Sequence, residues 1–214
     1  MKTFLFDILF PRQCLFCKRE GNHCCADCLS LVSIANHPSP LGKNSQLSAL
    51  FCAASFQDRF AQRLIHQFKY RPFLRDLAKP LAFLIVSHFA LVNKPIYPPQ
   101  VIIPVPLHKR RLKWRGYNHA EELADQLGYA FSVPVAANVL IKRKPTLPQM
   151  KLNREQRLKN VEGVFEVKNK EAVQGKTILL VDDVYTTGAT MQECARVLTQ
   201  AGAKAVYGAV VARD

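Results

Sequence analysis

Residues 178–190 read ILLVDDVYTTGAT, and this stretch decides how the rest of the chain is read. Ile178, Leu179, Leu180 and Val181 make the apolar end of a strand covered on both faces. Asp182 and Asp183 follow, then Val184 and Tyr185, and then Thr186, Thr187, Gly188, Ala189 and Thr190 lead into a helix. Gly188 permits the backbone conformation in which successive N–H groups converge on an anion. The helix start adds unpaired amides and a favourable dipole, and the threonine hydroxyls can donate. The turn is therefore a phosphate cradle without a lysine of its own. Two carboxylates would repel a bare phosphate, so they require vicinal hydroxyls or Mg²⁺ as partners. A sugar carrying a terminal phosphate satisfies both halves. Two structural alternatives stand beside this reading. Thr190 and Glu193 have capping-box spacing. Strand alternation would also send Asp182 and Asp183 to opposite faces unless the strand turns there.

Strand and helix patterns alternate on either side of this motif. Residues 50–56 suit an edge strand. From Asp58, an N-cap residue, Phe60, Leu64, Ile65 and Phe68 recur at helical spacing. A second apolar helix is expected over 74–91, after Pro72, and a β-branched strand over 101–105. Asn118 and Glu121 have the pattern of a capping box, with Gly128 at the close of that helix. Residues 135–141 read as a second buried strand, 163–167 as half of a hairpin, and 177–183 as the third core strand. A helix to Ala201 with Gly202 as its C-cap and a fourth strand over 205–211 complete the series. The fold class is α/β, a parallel sheet flanked by helices on both faces, with ligands expected at the carboxyl ends of the strands. A P-loop is excluded. Gly175-Lys176-Thr177 supplies GKT, but the required earlier glycine is Lys170, and GKT here enters a strand.

Thirty Lys plus Arg against 16 Asp plus Glu give a formal charge of +14, which favours polyanionic partners. No run approaches the roughly 20 apolar residues of a membrane span. Asp7 and Pro11-Arg12 break the apolar opening where a signal peptide would continue, so a cytoplasmic protein is expected. The basic charge clusters in 103–120 (IPVPLHKRRLKWRGYNHA), 142–144 (KRK) and 151–159 (KLNREQRLK). Pro106, Leu107, Lys109, Arg110, Arg111 and Arg115, with Lys113, mark a loop suited to a pyrophosphate or a nucleic-acid backbone. A solvated basic loop is the alternative. Trp114 and Tyr117 suit either base stacking or the core. In 144–165, Gln149, Arg154, Arg157 and Asn160 are candidate contacts of a lid or of a helix with a wet basic face.

Of seven cysteines, five lie between Cys14 and Cys28. The odd total argues against a disulfide framework. Cys14-x-x-Cys17 and Cys25-x-x-Cys28 have the spacing of a tetrahedral, structural Zn²⁺ site. Cys24 and His23 are competing ligands. The expected organisation is a zinc-binding cysteine module over 1–30, a linker over 31–49, and a ligand-binding domain over 50–214.

VDDVYTTGAT resembles the phosphoribosyl pyrophosphate (PRPP) loop of type I phosphoribosyltransferases. Together with PVPLH, RRxxxRGYN and PQ…NREQRLKNV, and with FPRQCLFC…CADC at the start, it resembles the ComF family (ComFC/GntX-like). The resemblance implies a phosphoribosyltransferase fold. It implies Asp182 and Asp183 on the ribose hydroxyls, residues 186–190 on the 5′-phosphate, and Mg²⁺ arriving with PRPP. It further implies a role in DNA uptake during natural transformation, with single-stranded DNA, the competence helicase and a DNA-processing protein as partners. The alternative is an active phosphoribosyltransferase of nucleotide salvage that moves ribose 5-phosphate to a base-like acceptor. No side chain stands out as a general base, so catalytic residues stay unassigned.

Overall fold

The computed structural model describes residues 11–70, 72–92, 98–146 and 153–214, apart from the Arg154 side chain. In chain order the elements are α1 (Ala26–Leu29), β1 (Ala49–Ser55), α2 (Arg59–Lys69), a 3₁₀ turn (Arg75–Leu77) and α3 (Ala78–Leu91). There follow β2 (Val101–Pro104), α4 (Lys109–Arg115), α5 (His119–Phe131), β3 (Leu140–Lys142) and α6 (Arg154–Val161). The last are β4 (Phe165–Val167), β5 (Thr177–Tyr185), α7 (Ala189–Gln200) and β6 (Ala205–Arg213).

The main sheet has the order β1-β6-β5-β2, and its strands are all parallel. Alternation along β5 feeds two cores. Leu179 and Val181 face Leu64, Ile65 and Phe68 of α2, with Leu81, Leu84, Ile85, Leu123 and Leu127 of α3 and α5. Ile178 and Leu180 face Met191, Cys194, Ala195 and Leu198 of α7. Each such Leu, Ile or Phe contributes about 1.5–3 kcal/mol when fully buried. The helices therefore sit on both faces because β5 is apolar on both, as its four-residue run requires.

Local chemistry sets the element ends. Asp58 caps α2 by accepting from the N–H groups of Phe60 and Ala61 at 2.9 Å each. The helix expected over 74–91 begins at Ala78, and residues 75–77 form the 3₁₀ turn instead. Gly128 does not close α5, which runs on to Phe131 and stops where Ser132 turns left-handed at φ 55°. Gly128 is needed for another reason: a Cβ there would lie 2.6 Å from Val135 Cγ2, so the glycine lets α5 lie close on the next segment.

The expected strand over 135–141 divides in two. Val135 makes a single parallel bridge to Ile102, and Leu140–Lys142 leaves the sheet to pair antiparallel with Phe165–Val167. Between them Ala137, Asn138 and Val139 turn the chain away, with Val139 N–H donating to Ala136 O at 3.4 Å.

The outer edge of β1 is covered. Ala35 N–H donates to Ala53 O at 2.9 Å and Ser39 N–H to Leu50 O at 2.8 Å. This places part of the 31–49 stretch along the edge strand, where exposed N–H and C=O groups would otherwise invite another chain. The cysteine-rich segment rests on α2. Phe16 packs on Phe60 with ring centroids 4.7 Å apart, and Arg63 lies 5.5 Å over Phe16. Asp76 takes His23 at 2.6 Å and Arg12 at 3.6 Å. Among the described residues, no helix is long and apolar enough to cross a membrane.

Candidate functional site

The carboxyl ends of β2 and β5 open into a cleft of about 1090 Å³, walled by α2, α4, the start of α5 and the β5–α7 turn. Each wall follows from local sequence. β2 stops at Pro104, and the chain then runs through Val105, Pro106 and Leu107 to His108, the N-cap of α4. Gly116 ends α4 in the left-handed region at φ 84°. Asn118 then caps α5 and also donates from Nδ2 to Val105 O at 3.1 Å, tying α5 to the end of β2.

β5 does not turn at the aspartates. It stays paired through Asp182↔Val210, Val184↔Ala212 and Tyr185↔Arg213. The two carboxylates consequently leave the strand on opposite faces, although both reach the cleft. Asp183 points to α2, where Lys69 Nζ donates to its Oδ1 at 2.7 Å. Burial alone would raise its pKa, but the Lys69 charge and hydrogen bond, with Arg115, hold the carboxyl below its ordinary value. Asp182 Oδ1 accepts the Asp183 N–H at 2.8 Å. Burial, reinforced by the neighbouring Asp183 charge, pushes Asp182 up to about 7. One carboxylate of the pair is thus firmly ionised and the other titrates near neutrality.

The turn after β5 carries the phosphate-cradle geometry. Gly188 sits at φ 78° as the N-cap of α7, and no side chain caps that helix. The Thr190–Glu193 capping box does not form: Glu193 accepts from Gly163 N–H at 2.8 Å and pairs with Arg196 at 2.7 Å. A Cβ on residue 188 would fall 2.1 Å from Tyr185 Oη, so the glycine is required by space as well as by conformation. Thr187 Oγ1 is buried without a hydrogen-bond partner among the described residues. A buried hydroxyl left this way costs about 1–3 kcal/mol. Thr186 and Thr190, by contrast, line the cleft beside the uncapped helix start.

The basic wall is divided between inside and outside. Pro106, Leu107, Arg111 and Arg115 line the cleft. Lys109 and Arg110 are exposed on α4, and Arg110 borders a smaller hollow of about 280 Å³ with Trp114, Lys142 and Thr146. Arg115 lies 6.0 Å over Tyr70, and its Nη1 is 3.1 Å from His119 Nδ1. Burial drives His119 down to about 4, so the imidazole is neutral and Nδ1 accepts from the guanidinium. Burial, with Arg111 adding to it, also lowers Lys142, to about 8.

Of the two aromatics in this stretch, Trp114 is exposed and stands edge-on to Phe73 at 5.6 Å. Tyr117 is buried and donates to Phe68 O at 2.7 Å, which makes it core and not a platform. Arg157 lines the cleft from α6, and Asn160 is half-buried on that helix. Gln149 and the Arg154 side chain lie outside the described residues.

Sequence reasoning missed Lys69, Tyr70 and His119. Lys69 stands 114 residues from Asp183, and its only local signal is a cation in the last turn of a helix, which the dipole explains equally well.

The sulfurs of Cys14, Cys17, Cys25 and Cys28 all lie within 4.8 Å of one another, and those of Cys17 and Cys25 are 3.6 Å apart. Tetrahedral Zn–S bonds of about 2.3 Å place sulfurs roughly 3.8 Å apart, so the cluster fits a structural zinc. Neither competitor joins it: Cys24 is buried with its thiol toward Cys25 O, and His23 is held by Asp76.

The family of phosphoribosyl transferase domains matches residues 112–214. The chain is 35% identical over 109 residues to competence protein F of Haemophilus influenzae, covering 50% of this chain and 48% of that one. It is 36% identical over 118 residues to competence protein ComFC of Bacillus subtilis, covering 54% and 46%. It is 32% identical over 145 residues to DNA utilization protein YhgH of Escherichia coli, covering 67% and 63%. The matched region is about half the length of the first two relatives. A phosphoribosyl transferase domain matched over 112–214 and these shared sequences make the chain a ComF-family protein.

Proposed function

We propose that this protein binds Mg²⁺–PRPP in the cleft and acts in the cytoplasm as a DNA-uptake factor of natural transformation that handles single-stranded DNA. The observation that carries the reading is the uncapped start of α7 at Gly188, with Thr186 and Thr190 on the cleft wall directly beyond two carboxylates. Thr186, Thr187, Gly188, Ala189 and Thr190 take the 5′-phosphate. Asp182 and Asp183 take ribose hydroxyls from the two sides of β5, with Val184 and Tyr185 holding the turn. Arg111 and Arg115, beside Pro106 and Leu107, face the pyrophosphate, and Mg²⁺ travels on the ligand's own oxygens.

Lys109, Arg110 and exposed Trp114 form a rim that can track a phosphate backbone and stack a base. The zinc module of 1–30, joined through 31–49 to the domain of 50–214, orders the segment that packs on α2. The names of the relatives, competence and DNA utilization proteins, support DNA as the wider context; a helicase and a DNA-processing protein are the partners that the family resemblance implies. A cleft of about 1090 Å³ also leaves room for an acceptor beside PRPP. That favours, as the second reading, a phosphoribosyl transfer to a base-like acceptor of nucleotide salvage. Its catalysis would rest on stabilising departing pyrophosphate.

Calorimetric titration of Mg²⁺–PRPP tests the cradle. Hydrogen bonds to a charged group are worth about 1.5–3 kcal/mol, so Thr186→Val should weaken binding by roughly tenfold or more. Equal affinity in the variant would remove the cradle from the account. Release of pyrophosphate from PRPP across a panel of nucleobases and single-stranded DNA separates the two readings.

A further inference from the structure

Lys69 belongs to no motif that the sequence singled out, yet it holds the carboxylate at the centre of the cleft. It is the last residue of α2, and Tyr70 after it is extended, so the side chain leaves the helix end toward β5. Its ammonium, partly exposed, touches Asp183 Oδ1 at 2.7 Å, while Asp183 itself is almost fully enclosed. The charged and titratable groups facing this pair are Asp182 from β5, His66 from α2, Tyr70 just beyond its end, Arg115 from α4, and His119 from α5. A ribose hydroxyl that donates to Asp183 must therefore share or displace an ammonium already in contact.

Two features make displacement workable. Asp183 would not be left bare, because Arg115 also faces it. Lysine is a compact charge on a flexible four-carbon stem, able to follow a moving anion where a planar guanidinium is bound to one geometry. What displacement requires is a second anion, since an ammonium stripped of its partner in a partly buried site is strongly disfavoured. The 5′-phosphate lies at the other end of the sugar, in the α7 cradle. The pyrophosphate supplies the nearer charge.

We infer that Lys69 is the specificity-determining residue by which this cleft prefers a pyrophosphorylated ribose to its monophosphate, its ammonium passing from Asp183 to the pyrophosphate as the ribose hydroxyls take the carboxylate. This rests on the PRPP reading of the site. A ribose 5-phosphate must compete with the Lys69–Asp183 pair and offers nothing in return. PRPP offers a replacement partner.

The test is calorimetric titration of the full chain, with Mg²⁺ present, using PRPP and ribose 5-phosphate as probes. It compares wild type, Lys69→Met and Lys69→Arg, each checked for folding by its melting curve. Loss of one charged hydrogen bond corresponds to roughly tenfold or more, so Lys69→Met should lose at least that in PRPP affinity. The same variant should bind ribose 5-phosphate as well as wild type, or better. Lys69→Arg keeps the charge but is held to one geometry, so it should reduce the preference for PRPP. If Lys69→Met leaves the affinity ratio of the two ligands unchanged, or weakens both alike, the inference is wrong while the PRPP reading stands. A wild-type protein that binds neither ligand overturns both. Should Lys69→Met fail to fold, Lys69→Gln is carried through the same two titrations and judged by the same ratio.

Discussion

Replacing Gly188 with alanine puts the cradle under a test that needs no ligand. At φ 78° an L-residue is strained by about 1–2 kcal/mol. The added Cβ would also meet the Tyr185 ring, at 2.1 Å from Oη, 2.3 Å from Cζ and 2.9 Å from Cε2. That ring cannot swing away freely: it is buried, Gln192 Nε2 donates to its hydroxyl at 3.3 Å, and Arg213 covers it at 5.6 Å. Forcing atoms into such a packed site costs roughly 1–3 kcal/mol. The sum is about 2–5 kcal/mol, and in a chain of this size each kcal/mol moves Tm by about 2–4 °C. Gly188→Ala should therefore lower Tm by roughly 4–20 °C in a thermal melt followed by circular dichroism. A double-mutant cycle with Tyr185→Ala separates the two contributions. The steric part should vanish in the double variant, leaving a coupling of about 1–3 kcal/mol, while the backbone strain persists. An unchanged Tm for Gly188→Ala would refute the assignment of this turn.

Further outcomes follow from other residues. Asp182, pushed up to about 7 in the fold, stays protonated there over pH values at which the unfolded chain, with its ordinary value of 3.8, has ionised. The folded state then binds more protons, and this residue's contribution to stability falls as pH rises from about 4 to 7. Asp182→Asn should remove that fall, so the stability of the variant relative to wild type climbs across the window and levels off above it, as read from urea midpoints. A flat difference would count against the buried pair. Cys17→Ser should abolish stoichiometric zinc by elemental analysis and destabilise the N-terminal segment, whereas Cys24→Ser should keep the zinc. Equal zinc loss in both would move Cys24 into the ligand set. For single-stranded DNA, Arg110→Ala should reduce the salt slope of log K by about 1, and Trp114→Ala should weaken binding by about 1–3 kcal/mol. Unaltered binding in both variants would clear the α4 rim of that role.

The parts of the fold that were legible in the sequence are those fixed by neighbours along the chain. The apolar run Ile178–Val181 had to be covered on both faces, and the cores on either side of β5 follow from it. The cysteine spacing placed four sulfurs together, because two short turns suffice to bring each pair to a common point. What failed depended on distant or competing geometry. The β-branched stretch after Pro134 looked like one strand, yet Val135 and Leu140 serve different sheets. Gly128 resembled a helix stop, because its need for space against Val135 is a tertiary fact. The two aspartates both reach the cleft, but their route to it was not legible. The strand's continuation to Tyr185 sends them there from opposite faces, and Lys69 reaches one of them from α2. Basic charge was visible as a block over 109–115, but only helix formation sorts Arg111 and Arg115 into the cleft and Lys109 and Arg110 onto the surface.

The central claim is that Asp183 and the β5–α7 turn hold a phosphorylated ribose. Calorimetric titration of Mg²⁺–PRPP into wild-type protein and into Asp183→Asn, with melting curves to establish that both are folded, tests it most directly. The account predicts saturable one-to-one binding in the wild type and none detectable in the variant. Undiminished affinity in folded Asp183→Asn would contradict it.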